Sequence, residues 1–298
     1  MPYIGEFAAL GAAVLWSFSS VIFTTAAIKV GSLKINLSRL FIAALLLAIT
    51  IVLLGVSYSV NFNQFLYFTI SGFIGLVLGD SFLFKAFKEI GPRISMLVMS
   101  INPAIAAIFA FFFLGEDLSY GIITGIIVTT TGISLVVLER YGSNEKESRF
   151  KITRMGVIYA FLAAVGQAGG LILAKMAFLN GNVNDLVAAF YRIFTSVIIF
   201  TPFALFSNWI MPTLKLFKSD KKLLWIVIIG SILGPYLGIT LSYTAIVHTK
   251  IGIASTLLST SPILLIPISK FYYKDKITLK SIIGAIIAVL GVSILFLK

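Results

Sequence analysis

The sequence has no cysteine and a single histidine, His248. The first absence rules out disulfides and thiolate metal sites. The second rules out a histidine metal cluster or a histidine proton wire. Charge is scarce too: 11% of residues are Asp, Glu, Lys or Arg against 59% hydrophobic, and mean hydropathy is +1.06. Apolar runs this numerous and this long cannot be buried in one globular core, and almost every residue lies in or beside one, so no soluble domain is left to assign. The opening MPYIGE has no positive n-region, so a cleaved signal peptide is not expected. No nucleotide-binding motif is present, which argues against direct ATP drive, and no cofactor is expected. The formal net charge of +12 would suggest nucleic acid in a soluble chain. Here the basic residues sit between apolar runs, where they act as orientation signals and contacts to anionic lipid, so no nucleic-acid partner is expected.

A helix needs about 20 apolar residues to cross a bilayer. Ten such runs are present, at 5–27, 35–55, 65–87, 93–114, 119–138, 155–178, 186–206, 223–246, 252–272 and 278–297. Runs such as IAALLLAITIVLL exclude the short alternating segments of a β-barrel. The fold class expected is therefore an all-α integral membrane protein.

The chain repeats itself. At a constant offset of 159, Gly79 falls on Gly238, Ser100 on Ser259, Pro103 on Pro262, Glu116 on Asp275, Gly125 on Gly284, Gly132 on Gly291 and Ser134 on Ser293. Glycine and proline positions are set by backbone geometry, so their keeping step signals duplication. Earlier in each half the offset is about 151: Ala12-Ala13-Val14 recurs as Ala163-Ala164-Val165, Trp16 maps onto Gln167, and Tyr191-Arg192 answers Arg39 within two residues. The polar stretch 139–154 separates the copies, giving a first repeat at 1–138, a linker, and a second repeat at 155–298. Five spans per half is an odd number, so the second copy enters the membrane upside down. That makes ten transmembrane helices arranged as two inverted five-helix repeats, a plan of secondary transporters in which the substrate site lies near the midplane beside broken helices.

Polar residues inside the runs mark the candidates for that site. Asp80 lies about two-thirds along its run with no basic residue one turn away, at a depth where a carboxylate costs roughly 2.5–3.5 kcal/mol. It is the candidate coupling group, able to exchange a proton as the site opens to each side. Its counterpart at the repeat offset is Ile239. Candidates to line the substrate cavity are Trp16, Ser20, Asp80, Phe84, Asn102, Gln167, Arg192, Tyr243 and Ser261, with Pro103 and Pro262 breaking the fourth and ninth helices. Arg192 lies about six residues into its run, at the limit of snorkelling, whereas Arg39 sits close enough to a helix end to reach the interface. Gly121, Gly125 and Gly132 put small residues on one helix face and read as close-packing positions.

The ordered pattern of a mid-helix proline (Pro103, Pro262), an acidic residue after an apolar run (Glu116, Asp275) and two glycines seven apart (Gly125 and Gly132, Gly284 and Gly291) resembles the EamA domain. That domain occurs twice per chain in the drug/metabolite transporter superfamily. The resemblance covers essentially the whole chain and is best at GDSFLFKAFKEIGPR and IASTLLSTSPILLIP. It implies a ten-helix exporter of amino acids, other metabolites or drugs in a prokaryotic cytoplasmic membrane, and names no substrate. Asp275 stands in KDK where the family more often has Gly-Glu, which weakens a special role for that acid. Proton-coupled small multidrug relatives carry a mid-membrane glutamate in their first helix. Here Trp16 and serines occupy that region and Glu6 lies near the helix end, so that site does not carry over.

The expected function is secondary transport of a small metabolite, with the lipid bilayer and protons as the other partners and the oligomeric state left open. The alternative, an intramembrane lipid-modifying enzyme, would need clustered acid–base groups, and the sequence offers no Asp/Glu pair, histidine pair or Gly-x-Ser-x-Gly elbow. The odd-numbered connections hold Lys29, Lys34, Lys88, Arg93, the 139–154 linker, Lys215, Lys218, Lys221, Lys222, Lys274, Lys276 and Lys280, while the even-numbered ones hold only Lys250. By the positive-inside rule the odd connections are cytoplasmic and both termini are outside.

Overall fold

The computed structural model describes residues 3–115, 117, 119–141, 150–248, 257–273 and 277–294. Among these residues all regular structure is helical. In chain order the elements are α1 (Ile4–Val30), α2 (Ser32–Leu53), α3 (Phe62–Gly72), a π-helical stretch π1 (Phe73–Gly79), α4 (Asp80–Met99), α5 (Asn102–Leu114), α6 (Tyr120–Tyr141), α7 (Arg154–Leu179) and α8 (Asp185–Phe206). There follow α9 (Ile210–Ser219), α10 (Lys221–Ser231), a second π-helical stretch π2 (Ile232–Gly238), α11 (Ile239–His248), α12 (Ser261–Tyr273) and α13 (Leu279–Ile294). Among the described residues seven stretches are long and apolar enough to cross a membrane, and α5 and α13 are shorter apolar helices. Glu116, Asp275 and residues 142–149 of the linker lie outside the described residues.

Side-chain size is distributed inside out. The buried positions of α1 and α7 are largely alanine: Ala8, Ala9, Ala12, Ala13, Ala26 and Ala27 in one, Ala160, Ala163, Ala164 and Ala168 in the other. Large apolar side chains such as Phe112, Phe206 and Phe271 stand on the outside, at 72%, 89% and 83% exposure. Water would penalise that surface, whereas lipid does not, and small interior residues let helix backbones approach closely. Many intramembrane hydroxyls return to their own helix, as when Thr24 donates to Ser20 O (2.7 Å) and Thr195 to Tyr191 O (2.7 Å). Four helix starts are capped by side chains: Asn61 with Gln64 forms a reciprocal box at α3, and Thr153, Asn184 and Asp220 cap α7, α8 and α10.

Breaks fall where the sequence forces them. Gly91, at φ +75°, divides α4 into Asp80–Ile90 and Pro92–Met99 and so separates the third run from the fourth. A turn at Ser100-Ile101 then precedes α5, whose second residue is Pro103, a place where the missing N–H costs nothing. Pro262 is likewise the second residue of α12. The boundaries of α3, π1, α5 and the start of α6 recur at offset 159 in α10, π2, α12 and the start of α13. Those of α2 recur in α8 at offset 153, both helices being 22 residues long. Packing crosses over: α1 lies against α10, π2, α11 and α12, while α7 lies against α3, π1, α4 and α5. The other major pairs are α2 with α8 and α6 with α13. In the latter, a Cβ on Gly132 would fall 2.4 Å from Ala288 N, and one on Gly291 2.3 Å from Thr129 N.

Candidate functional site

Four elements converge beside π1 and bring charged groups into the interior. Arg39 on α2, Asp80 at the start of α4 and Arg192 on α8 are 8%, 4% and 8% exposed. Arg39 Nη2 donates to Asp80 Oδ2 in a direct ion pair, while its Nε donates to Asn36 Oδ1 (3.1 Å). Asn36 Nδ2 donates to Leu76 O (2.8 Å) and Ser81 Oγ (3.1 Å), which fixes the amide that orients the guanidinium. The Arg39 guanidinium also lies over the Phe84 ring at 4.8 Å and the Phe23 ring at 5.7 Å. On the other side, Gln167 Nε2 donates to Asp80 Oδ1 (2.5 Å) and Gly75 O (3.2 Å). Its Oε1 accepts from Arg192 Nη2 at 3.5 Å, the long end of the range. The cluster therefore runs Arg192–Gln167–Asp80–Arg39–Asn36–Ser81.

Glycines let these helices come together. A Cβ on Gly166 of α7 would lie 2.8 Å from Gly79 Cα. One on Gly75 or Gly170 would lie 2.5 or 3.0 Å from Arg192 Nη2, so the guanidinium slots between two positions without side chains. The π1 stretch contributes Gly75 and Leu76 carbonyls as acceptors for Gln167 and Asn36. π-Helical turns of this kind are uncommon and often mark functional sites.

The structure revises the reading of Arg39. It does not snorkel: held by Asp80, Asn36 and two aromatic faces, it is buried, and Asp80 has a basic partner 41 residues away in sequence. Arg39, Asn36 and Ser81 were absent from the candidates. An arginine and an aspartate of opposite sign at interior positions of neighbouring runs were the signal available. Of the candidates, Asp80, Phe84, Gln167 and Arg192 meet here; the others lie elsewhere. Trp16 packs on π2, where a Cβ on Gly238 would lie 2.4 Å from its Nε1. Ser20 donates to Ser17 O (2.8 Å), and Ser261 donates to Ala13 O (3.2 Å), fastening α12 to α1. Asn102 donates to Ala164 O (3.1 Å), fastening α5 to α7. Tyr243 is buried between α2 and α8 residues, and its hydroxyl has no partner among the described residues.

A cavity of about 400 Å³ opens at one end of the same helices. Its walls include Ser32 and Lys34 from α2, Lys85, Lys88 and Glu89 from α4, Tyr159 from α7, and Trp209. Lys85 Nζ stands over the rings of Phe82 (5.5 Å) and Tyr159 (5.4 Å).

The EamA-like transporter family profile matches this chain twice, over residues 3–138 and 154–297. The chain belongs to that family. It is an integral membrane protein of helical spans. Among curated proteins it is similar to an uncharacterized transporter, YxxF, of Bacillus subtilis (strain 168), 30% identical over 144 residues, 46% of this chain and 44% of that one. It is also similar to an uncharacterized transporter of Clostridium kluyveri, 29% identical over 150 residues, 50% of this chain and 47% of that one. The chain thus spans about half the length of the curated relatives it matches. A solved crystal structure aligns over 97% of this chain and 94% of its own with a TM-score of 0.65 at 17% identity, a likeness of fold alone.

Proposed function

We propose that the protein is a secondary transporter, an exporter of a small metabolite, working by alternating access between two inverted five-helix repeats that make ten spans in a cytoplasmic membrane. The observation that carries this reading is the buried ion pair of Arg39 and Asp80 beside π1, at the seam where α7 of one half packs into the other. Intramembrane charges that pair away from lipid are a mark of substrate and ion pathways. The recurrence of element boundaries at offsets of 153 and 159, and the exchange of α1 and α7 between halves, support the repeat plan. Asp80 is the coupling group in this reading. A proton on its carboxyl cancels the pair, releases Arg39 and alters the hold of Gln167, so proton binding and rearrangement of the seam are one event.

The test is transport in proteoliposomes with an imposed pH gradient, comparing wild type with the double variant Asp80→Asn/Arg39→Gln, which removes both charges and strands neither. Gradient-driven flux is abolished and exchange at equal pH survives; wild-type pH dependence in the double variant overturns the coupling role. The orientation is tested with a cysteine at Ser143 in a chain that has none of its own. With the linker cytoplasmic, an impermeant maleimide does not label it in intact cells; labelling reverses the assigned topology.

A further inference from the structure

We propose that Arg192 receives an anionic group of the transported solute, a carboxylate or phosphate, and that the cavity bearing Lys34, Lys85 and Lys88 gathers such anions at one membrane face. This rests on the transporter reading above. The first observation is charge imbalance. The buried cluster holds two guanidinium groups and one carboxylate, and that carboxylate is engaged by Arg39. Among the described residues no carboxylate lies within 4 Å of Arg192, its Nε is buried without a partner, and its one side-chain hydrogen bond is to the Gln167 amide at 3.5 Å. A cation left uncompensated at this depth is costly, and what offsets it best is an oxyanion whose two coplanar oxygens match the guanidinium fork.

The second observation is where the basic cavity lies. Three of the four helices that build the cluster, α2, α4 and α7, also line the cavity, and α8 with Arg192 does not. Lys34 precedes Arg39 by five residues on α2, Lys85 follows Asp80 by five on α4, and Tyr159 precedes Gln167 by eight on α7. At 1.5 Å rise per residue those steps are about 7.5, 7.5 and 12 Å. Three ammonium groups against the single carboxylate of Glu89 give the mouth a positive field that draws anions in. A cationic solute would meet repulsion at both levels and would have to displace Arg39 from Asp80.

The experiment measures apparent Tm of the purified full chain in neutral detergent, with benzoate, succinate and inorganic phosphate as anionic probes and choline and spermidine as cationic controls. An anion raises Tm saturably in the wild type. Arg192→Gln removes the response without lowering the unliganded Tm, because an uncompensated charge has gone. Arg192→Lys keeps the charge but loses the fork, and needs about tenfold more ligand. The triple variant Lys34→Gln/Lys85→Gln/Lys88→Gln still saturates but at higher concentration, with a weaker salt dependence. The proposal is overturned if cations stabilise and anions do not, if Arg192→Gln keeps the wild-type response, or if only phosphatidylglycerol nanodiscs reproduce it, which would make the ligand a lipid headgroup. Counterflow of the responding probe in proteoliposomes separates the two readings. Binding without counterflow refutes the transporter reading, and with it the claim that the anion is cargo. Counterflow of a cation, untouched by Arg192→Gln, refutes the anion site alone.

Discussion

Arg39 and Arg192 are each the eighth residue of a 22-residue helix, and the two helices pack against each other. Around Arg39 the chain supplies a carboxylate, an orienting amide and two aromatic faces. Around Arg192 it supplies a distant amide oxygen and two glycines. The residue that corresponds to Asp80 in the second half is Ile239, which lies in an apolar cluster with Ala189 and Ile193. The element boundaries match while the residues beside the two arginines differ, so that Arg39 is ion-paired and Arg192 has no carboxylate within 4 Å among the described residues. The neighbouring glycine contacts differ in the same way. Gly79 meets the backbone of Gly166, whereas its counterpart Gly238 meets the indole of Trp16.

The sharpest way to break the contrast is to make Arg39 resemble Arg192. Asp80→Asn strands Arg39 in the interior and costs about 3–5 kcal/mol, as expected when one partner of a buried pair is removed. Adding Arg39→Gln recovers most of it. Denaturation of the single and double variants in detergent checks this; an Asp80→Asn protein as stable as wild type contradicts the buried pair. Next in size is the glycine contrast. Gly166→Ala forces a methyl against backbone and costs about 1–3 kcal/mol, while the tightest clash of Gly238→Ala is with the half-buried Trp16 side chain, which can shift, and it costs less. Equal shifts in Tm would show that the two seams are packed alike. The smallest effect on ligand binding comes from Gln167→Glu, which gives Arg192 the carboxylate it lacks while removing the amide that donates to Asp80. Anion affinity falls about tenfold, roughly 1.4 kcal/mol, read as a rightward shift of the Tm titration. An unchanged titration places the anion away from Arg192.

Much of this was legible in the residues. Apolar runs gave the helical class, Pro103 and Pro262 stand second in α5 and α12 where the runs had them in mid-helix, and Gly132, read as a close-packing position, is a contact point between α6 and α13. Asp80 drew notice by its depth, by the lack of a basic residue one turn away and by Ile239 standing at its place in the second copy. The identity of its partner was hidden because a pairing across 41 residues depends on helix rotation, which a run apolar on all faces does not encode. For the same reason, Ser20 and Ser261 could not be told from cavity-lining hydroxyls until their acceptors were known. The π-helical stretches left no mark beyond the glycines at 75, 79, 234 and 238, since backbone widening has no composition of its own.

Those stretches set an angular phase. Each α-helical residue advances the chain by about 100° around the helix axis, so absorbing one extra residue in a wide turn rotates everything beyond it by that amount. In its present form π1 aims Asp80 at Arg39 and Gln167 together. Tightened to ordinary α geometry, the same seven residues would turn α4 about its axis and swing the carboxylate about 100° away from both. The duplicated stretch π2 stands directly before Ile239 and has the same gearing, but the residue it aims is apolar. The chain thus carries two identical dials, and only one of them has a pointer.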